Sequence, residues 1–205
     1  RFLQISGLLP NAEPAGSARA IPITYEHVPP VPKPKKNAPD EEWKTYREQR
    51  RQQNLSTYGV KAIRQLRDDL DQRHDAAERL LVMGVDGSYT NATVLKNLPP
   101  RTTLIGRIRK DAKLCEPPRP EDQQPRGTRR QYGRPLPTPD QIRQDESSPW
   151  QEVQAYASGK RHTFRVKTIE PVLWSKAGAK QSLRLVVIAP VGYRLKKGSR
   201  LLYRQ

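Results

Sequence analysis

Two stretches in the middle of the chain have the hydrophobic spacing of β-strands. The aliphatic run at residues 80–85 is short and continuous, which is typical of a strand buried on both faces. Residues 102–108 alternate instead, and this places Thr103, Ile105 and Arg107 on one face of a second strand. A strand followed by a second strand after a short connection predicts half of an α/β sheet.

The connection between these strands has the signals of a short helix. Asn91 can cap a helix over residues 92–97, because its side chain can accept hydrogen bonds from the first helical N–H groups. Pro99 and Pro100 then end it. The segment therefore reads as a strand–helix–strand unit.

Helical spacing predicts two helices before this unit. The first covers residues 39–54, with Asp40 among the acidic residues of its first turn and a basic second half. Ser56 or Thr57 can cap the second, which runs to about Arg73. Its buried stripe consists of Val60, Ile63, Leu66 and Leu70, while its side chains off that stripe are Lys61, Arg64 and Arg67.

The rest of the chain divides into an arm, a loop and a strand-rich block. Residues 1–9 read as a strand, and the proline-rich residues 10–36 read as an extended arm without a ladder of its own. Residues 116–148 are polar, proline-rich and arginine-rich, and we expect a loop there. Four strands are then predicted, at 152–156, 163–169, 183–188 and 200–203.

Composition favours a polyanionic partner. The 205 residues include 38 Lys and Arg against 21 Asp and Glu, a formal net charge of +17. Contacts from such side chains to phosphates release counterions, which favours nucleic-acid binding over a membrane surface. No apolar run approaches the roughly 20 residues that span a bilayer. The single cysteine, Cys115, excludes an internal disulfide, and no Cys/His set has zinc spacing.

Asp86 is the candidate catalytic residue. It ends the aliphatic run and precedes Gly87, so its carboxylate sits where a strand leaves its sheet, the edge at which α/β proteins bind ligands. The ordinary alternative is that Asp86 only caps a turn. Other acidic residues lie on a solvated helix end or in polar segments.

The stretch GVDGSYTNATVLKNLPPRTTLIGRIRKDAKL resembles the segment around the second catalytic Asp of DDE-class insertion-sequence transposases, which have an RNase H-like core. PWQEV, GKRHTFRVKTI and RLVVIAPVGYRLKKGS resemble one bacterial subgroup of that class. The resemblance implies metal-dependent DNA cleavage and strand transfer. Of the three family carboxylates, only the second maps here, onto Asp86, and the first and third would lie before Arg1 and after Gln205.

The resemblance also implies a cofactor and partners. Mg²⁺ or Mn²⁺ would occupy a two-metal site that carboxylates outside this chain complete. Double-stranded DNA would be the substrate, and the complete enzyme would be a homo-oligomer in the bacterial cytoplasm, associated with the nucleoid. Proximity and charge suggest nine DNA-binding residues: Tyr89, Asn91, Arg107, Arg109, Lys110, Arg129, Arg130, Lys160 and Arg161.

These expectations combine into an α/β fold with a partial RNase H-like core, a mixed sheet with helices, and a β-rich insertion. Residues 1–38 form a strand and arm, 39–114 the core part, 115–148 a basic loop, and 149–205 the insertion leading back to the core. The first residue is Arg1 and the single Met is Met83, which suggests a fragment or a processed product.

Two rival functions stay open. One is a non-catalytic, basic nucleic-acid-binding protein, such as a decayed or repurposed transposase remnant. The other is a structural protein of a ribonucleoprotein particle, which fits the charge but does not explain a buried strand that ends in Asp86.

Overall fold

The computed structural model describes residues 1–9, 19–120, 129–157, 160–179 and 181–190. It divides the chain into two compact units, unit 1 (Arg1–Ile108) and unit 2 (Arg109–Gln205). The described residues form strands and a few helices, so the chain belongs to the mixed α/β class.

Unit 1 begins with an antiparallel hairpin. Strand β1 (Phe2–Leu9) pairs with β2 (Arg19–His27), which confirms the first strand. The prediction of an extended arm without strand pairing is wrong for residues 19–27, which form β2. Pro22 lies opposite Ser6, where the register is irregular, so a residue without an N–H group is tolerated at that point of the strand.

Two helices follow, close to their predicted positions. Helix α1 spans Asp40–Gln52 and α2 spans Leu55–Asp71. The predicted cap of α2 is wrong: Asn54, two residues before Ser56 and three before Thr57, is the N-cap, and its side chain accepts the N–H of Thr57 at 2.8 Å. Asparagine is as good an N-cap as serine, and here it lies at the correct distance from the first helical turn.

The buried face of α2 is wider than the predicted apolar stripe. Val60 and Ile63 are buried as expected, but Arg67 is buried as well, with 1% of its surface exposed. Its guanidinium donates to the carbonyl of Arg79 at 2.7 Å and pairs with Asp71 at 2.7 Å. Arg67 therefore fastens the segment after α2 to the helix, because carbonyls and a carboxylate replace the water it loses.

Strands β3 (Leu81–Val85) and β4 (Thr102–Gly106) pair in parallel, and helix α3 (Ala92–Leu95) connects them. The predicted strand–helix–strand order is confirmed. Burial of β3 on both faces is wrong, because Val82 is 55% exposed. One face packs on the cluster of Val60, Ile63 and Val94, and in the described part of the chain the other face of the pair stays bare.

Unit 2 is organised around one long strand. This strand, β7 (Lys160–Trp174), pairs antiparallel with β5 (Leu114–Cys115), β6 (Gln151–Ala157) and β8 (Leu183–Pro190). Three of the predicted strands are confirmed, with longer bounds. The fourth, at 200–203, lies outside the described residues.

The predicted loop at 116–148 contains a helix in its described part. Helix α4 spans Pro139–Gln144, and Thr138 and Gln141 form a capping box at its start. Ile142 is buried on this helix, and the buried Lys167 of β7 donates to its carbonyl at 3.0 Å. The proline-rich composition concealed a local helix signal, since proline is favoured at the first helical position.

Candidate functional site

Asp86 lies directly after β3, at the carboxyl end of the parallel pair. Its carbonyl accepts the N–H of Tyr89 at 2.9 Å and begins a single 3₁₀ turn over Gly87–Tyr89. The carboxylate is exposed and makes no hydrogen bond or ion pair with another described residue. It does not cap the turn it precedes, which counts against the structural alternative for this residue.

Tyr89 lies on the other side of this turn and is half-buried. Its ring packs so closely on α2 that a Cβ on Gly59 would be 3.0 Å from its Cε1 atom. Burial, and then the charge of Asp86, raise the pKa of Tyr89 above its ordinary value of 10.0. Its hydroxyl is therefore a neutral donor and acceptor at physiological pH.

Asn91 caps α3 as the sequence predicted. Its Oδ1 accepts the N–H groups of Thr93 at 3.0 Å and Val94 at 3.2 Å. Its Nδ2 donates to Ser56 Oγ at 2.8 Å and to the carbonyl of Ser88 at 2.7 Å. The amide thus holds α2, the turn and α3 together, and contact with a nucleotide stays a prediction.

Arg107 completes the part of the predicted site that lies in unit 1. It follows β4 and is exposed. Its carbonyl oxygen would be 3.4 Å from a Cβ on Gly87, so the chain leaving β4 runs directly beside the Asp86 turn. The structure therefore brings the backbone of the Asp86 turn and the exit of β4 together.

The other predicted DNA-binding residues belong to unit 2. Arg109 makes two hydrogen bonds to Asp111, at 2.9 and 3.0 Å, which raise the pKa of Arg109 and lower that of Asp111. Its charge is thus partly offset. Arg161 lies 5.6 Å from the centre of the Tyr156 ring. The other four side chains are also exposed: Lys110, Arg129, Arg130 and Lys160.

Asp86 fits one ligand position of a magnesium or manganese site, because such hard cations bind carboxylate oxygens. The residues that the structure describes contain no cluster of three His, Cys, Asp or Glu side chains that could hold a metal ion.

Sequence reasoning missed the close packing that fixes the Asp86 turn. Gly59 lies inside a helix and Gly106 ends a strand, and both positions signal a close approach of neighbouring atoms.

Over the described ranges, no helix has the length and apolar character needed to cross a membrane. Comparisons with protein-family models, curated proteins and solved structures give no match to this chain.

Proposed function

We propose that this chain is part of a DDE-class DNA transposase with an RNase H-like core, and that Asp86 is one of its metal-binding carboxylates. The observation that carries the proposal is an exposed carboxylate, without a partner among the described residues, at the carboxyl end of a parallel strand pair. Ligands collect at this edge in α/β sheets. The resemblance of the sequence around Asp86 supports the same function.

The reaction is cleavage and strand transfer at transposon ends, in which two divalent cations hold the attacking and leaving oxygens in line. Asp86 would contribute one carboxylate, and segments that the resemblance places before Arg1 and after Gln205 would contribute the others. Tyr89 can offer a neutral hydroxyl to a phosphate oxygen beside Asp86. Arg107 is exposed at the neighbouring strand end and can bind the DNA backbone.

Double-stranded DNA is the proposed partner, and a homo-oligomer in the bacterial cytoplasm is the proposed complete form. The exposed cations of unit 2 support sequence-tolerant contacts to phosphates, which fix the position of a protein on DNA without reading bases. Lys160 and Arg161 at the start of β7 are the side chains that we assign to this role.

The rival function is a non-catalytic, basic nucleic-acid-binding protein. It is favoured by the small number of ligands, since the described residues contain no group of three His, Cys, Asp or Glu side chains that could hold a metal ion. Both functions predict DNA binding. They differ in whether the protein cleaves DNA and needs the Asp86 carboxylate to do so.

Substitution of Asp86 in the complete transposase separates them. Asp86→Asn keeps the shape and removes the charge that binds cations, and Asp86→Glu moves the carboxylate by one methylene. We expect cleavage to fall by about a hundredfold or more in both variants. The Asn variant lacks the charge that binds the cation, and in the Glu variant a misplacement of about 1 Å is sufficient for such a loss. Binding to transposon ends should persist in a gel-shift measurement.

Asp68→Asn is the matched control, because Asp68 is an exposed aspartate on α2. It removes the same charge from the same unit and should leave cleavage unchanged. An Asp86→Asn enzyme that cleaves at the parental rate would show that Asp86 is a turn residue and would favour the binding protein.

A further inference from the structure

The end of β4 lies unusually close to the turn that carries Asp86. Gly106 is the last residue of β4 and pairs with Val85, the last residue of β3. A Cβ on Gly106 would lie 2.2 Å from Thr90 Oγ1 and 3.0 Å from Val85 Cγ2. Real Cβ atoms essentially never come within 3.0 Å of another heavy atom, so the Thr90 side chain occupies the space that any other residue here would need.

The side chain of Thr90 contributes its volume, whereas the residue's hydrogen bond comes from its backbone. Its N–H donates to the carbonyl of Gly87 at 3.2 Å and closes the turn. Its hydroxyl oxygen is buried and has no hydrogen-bond partner among the described residues. A buried hydroxyl without a partner destabilises a fold by about 1–3 kcal/mol, so packing against Gly106 is what Thr90 provides here.

On the opposite side of the same turn, Tyr89 packs against a second glycine, Gly59 of α2. Tyr89 lies 3.0 Å from the position of a Cβ on Gly59 of α2, and Asn91 donates to Ser56 at the start of α2. The turn from Asp86 to Thr90 is therefore clamped between α2 and the end of β4. In contrast, a Cβ on Gly84, in the middle of β3, would meet nothing within 4 Å.

We propose that Gly106 is a positioning residue for the Asp86 carboxylate: by lacking a side chain it admits Thr90, and Thr90 fixes the turn from which Asp86 projects. The inference rests on the proposed function, because the direction of the carboxylate matters for the reaction only if Asp86 binds a cation. A shift of the turn by about 1 Å would be enough to impair catalysis strongly.

The test uses the full chain with Mn²⁺ alone as the probe. Paramagnetic broadening of the backbone amide signals of residues 87–89 reports a cation at Asp86, and the chemical shifts of the same amides report the geometry of the turn. Asp86→Asn should abolish the broadening. Gly106→Ala should move the amide signals of residues 87–89 and change the relative Mn²⁺ broadening among them, because the carboxylate and the cation it binds shift with the turn. The control Gly84→Ala should change neither.

Size complementation separates positioning from a general loss of structure. Adding Thr90→Ala to Gly106→Ala removes the atom nearest to the new Cβ, so we expect both readouts to return to near the parental values. Thr90→Val in the parental background keeps the volume and discards the unpaired hydroxyl, so it should behave as the parent. Thr90→Ala alone should loosen the turn and speed hydrogen exchange of its amides.

The two proposals fail in different ways. If Gly106→Ala leaves the amide shifts of the turn and the Mn²⁺ broadening unchanged, the positioning role is wrong. The same follows if Gly106→Ala does not fold and Thr90→Ala, like Thr90→Val, leaves hydrogen exchange of the turn amides at the parental rate. If Asp86→Asn retains the broadening, the metal role of Asp86 is wrong, whereas the amide shifts still decide whether Gly106 and Thr90 set the turn.

Discussion

The two units of the chain differ in charge more than in size. Unit 1 has 17 Lys and Arg against 12 Asp and Glu, a net charge of +5, and unit 2 has 21 against 9, a net charge of +12. The candidate carboxylate Asp86 belongs to unit 1. The candidate carboxylate and most of the positive charge thus belong to different units, and each can be changed by mutation without the other.

The units also differ in how each stabilises a buried cation. Arg67 in unit 1 has the carboxylate of Asp71 as a partner, together with backbone carbonyls. Lys167 in unit 2 donates to the carbonyls of Ile142 and Asp145 and lies 4.5 Å from the centre of the Trp150 ring. In both units the buried cation joins a helix to a neighbouring segment. Arg67 does so through an ion pair and carbonyls, and Lys167 through carbonyls, with the charge of Asp145 nearby.

The largest expected effect tests the charge difference. Binding of the full chain to duplex DNA should weaken about a thousandfold between about 50 and 200 mM salt if it makes six or more phosphate contacts. Replacing Lys160 and Arg161 by Ala should lower the log–log salt slope by about two. The control replaces Lys44 and Arg47 on α1, an equal loss of exposed charge from unit 1. Equal slopes for the two double variants would contradict the assignment of binding to unit 2.

The second prediction concerns stability. Arg67→Ala should lower the free energy of unfolding by about 3 kcal/mol, because it removes a buried guanidinium and leaves the carbonyls of Ala76, Ala77 and Arg79 without this donor. Urea unfolding followed by amide signals of unit 1 measures this. Arg64→Ala is the matched control on the same helix, where the guanidinium is exposed and bonds to Asn97 at 3.2 Å. A loss of similar size in both variants would argue against a specific role for the buried charge.

Lys167→Ala should destabilise unit 2 by about 2 kcal/mol, since the carbonyls of Ile142 and Asp145 lose a buried donor. The control is Lys176→Ala, in which an exposed lysine near the Trp174 ring is removed. We expect a loss below about 1 kcal/mol for the control, as for exposed cation–π contacts. If Lys167→Ala costs no more than the control, the buried lysine does not hold α4.

Local signals in the sequence predicted much of unit 1. The position of Asp86 after a strand, the Asn91 cap and the alternation of β4 follow from residues within a few positions of one another. The burial of Arg67 does not, because its partners include carbonyls 9 to 12 residues further along the chain. Similarly, β2 depends on pairing with β1 across residues 10–18, and proline-rich composition masked it.

The candidate site, too, was predictable from the sequence only where its residues are close together along the chain. A strand that ends in Asp identifies the carboxylate, but the clamp on its turn joins Gly59, Thr90 and Gly106, residues from three separate elements. The bare face of β3 was missed for a related reason. A continuous aliphatic run predicts two buried faces, whereas burial of the second face depends on which element covers it.

The smallest expected effect is the pH dependence of each unit. Burial alone raises the pKa of Asp71, but hydrogen bonds and charge from Arg101 and Arg67 outweigh it and hold the pKa below its ordinary value of 3.8. In unit 2, hydrogen bonds from Ser147 lower the pKa of Asp145. Because both folded-state pKa values are depressed, each group stabilises its unit above about pH 4, and this contribution is lost as the pH falls through the folded-state value.

Urea unfolding between about pH 2 and 7 checks this difference between the units. Asp71→Asn should destabilise unit 1 at neutral pH, and the gap to the parent should close as the pH falls below about 4. Asp145→Asn should do the same for unit 2. High salt should shrink the Asp71 effect more, because its partners are two guanidinium groups, whereas the hydrogen bonds from Ser147 to Asp145 are screened less. A gap for Asp71→Asn that stays constant down to the lowest pH would show that its carboxylate does not titrate with folding.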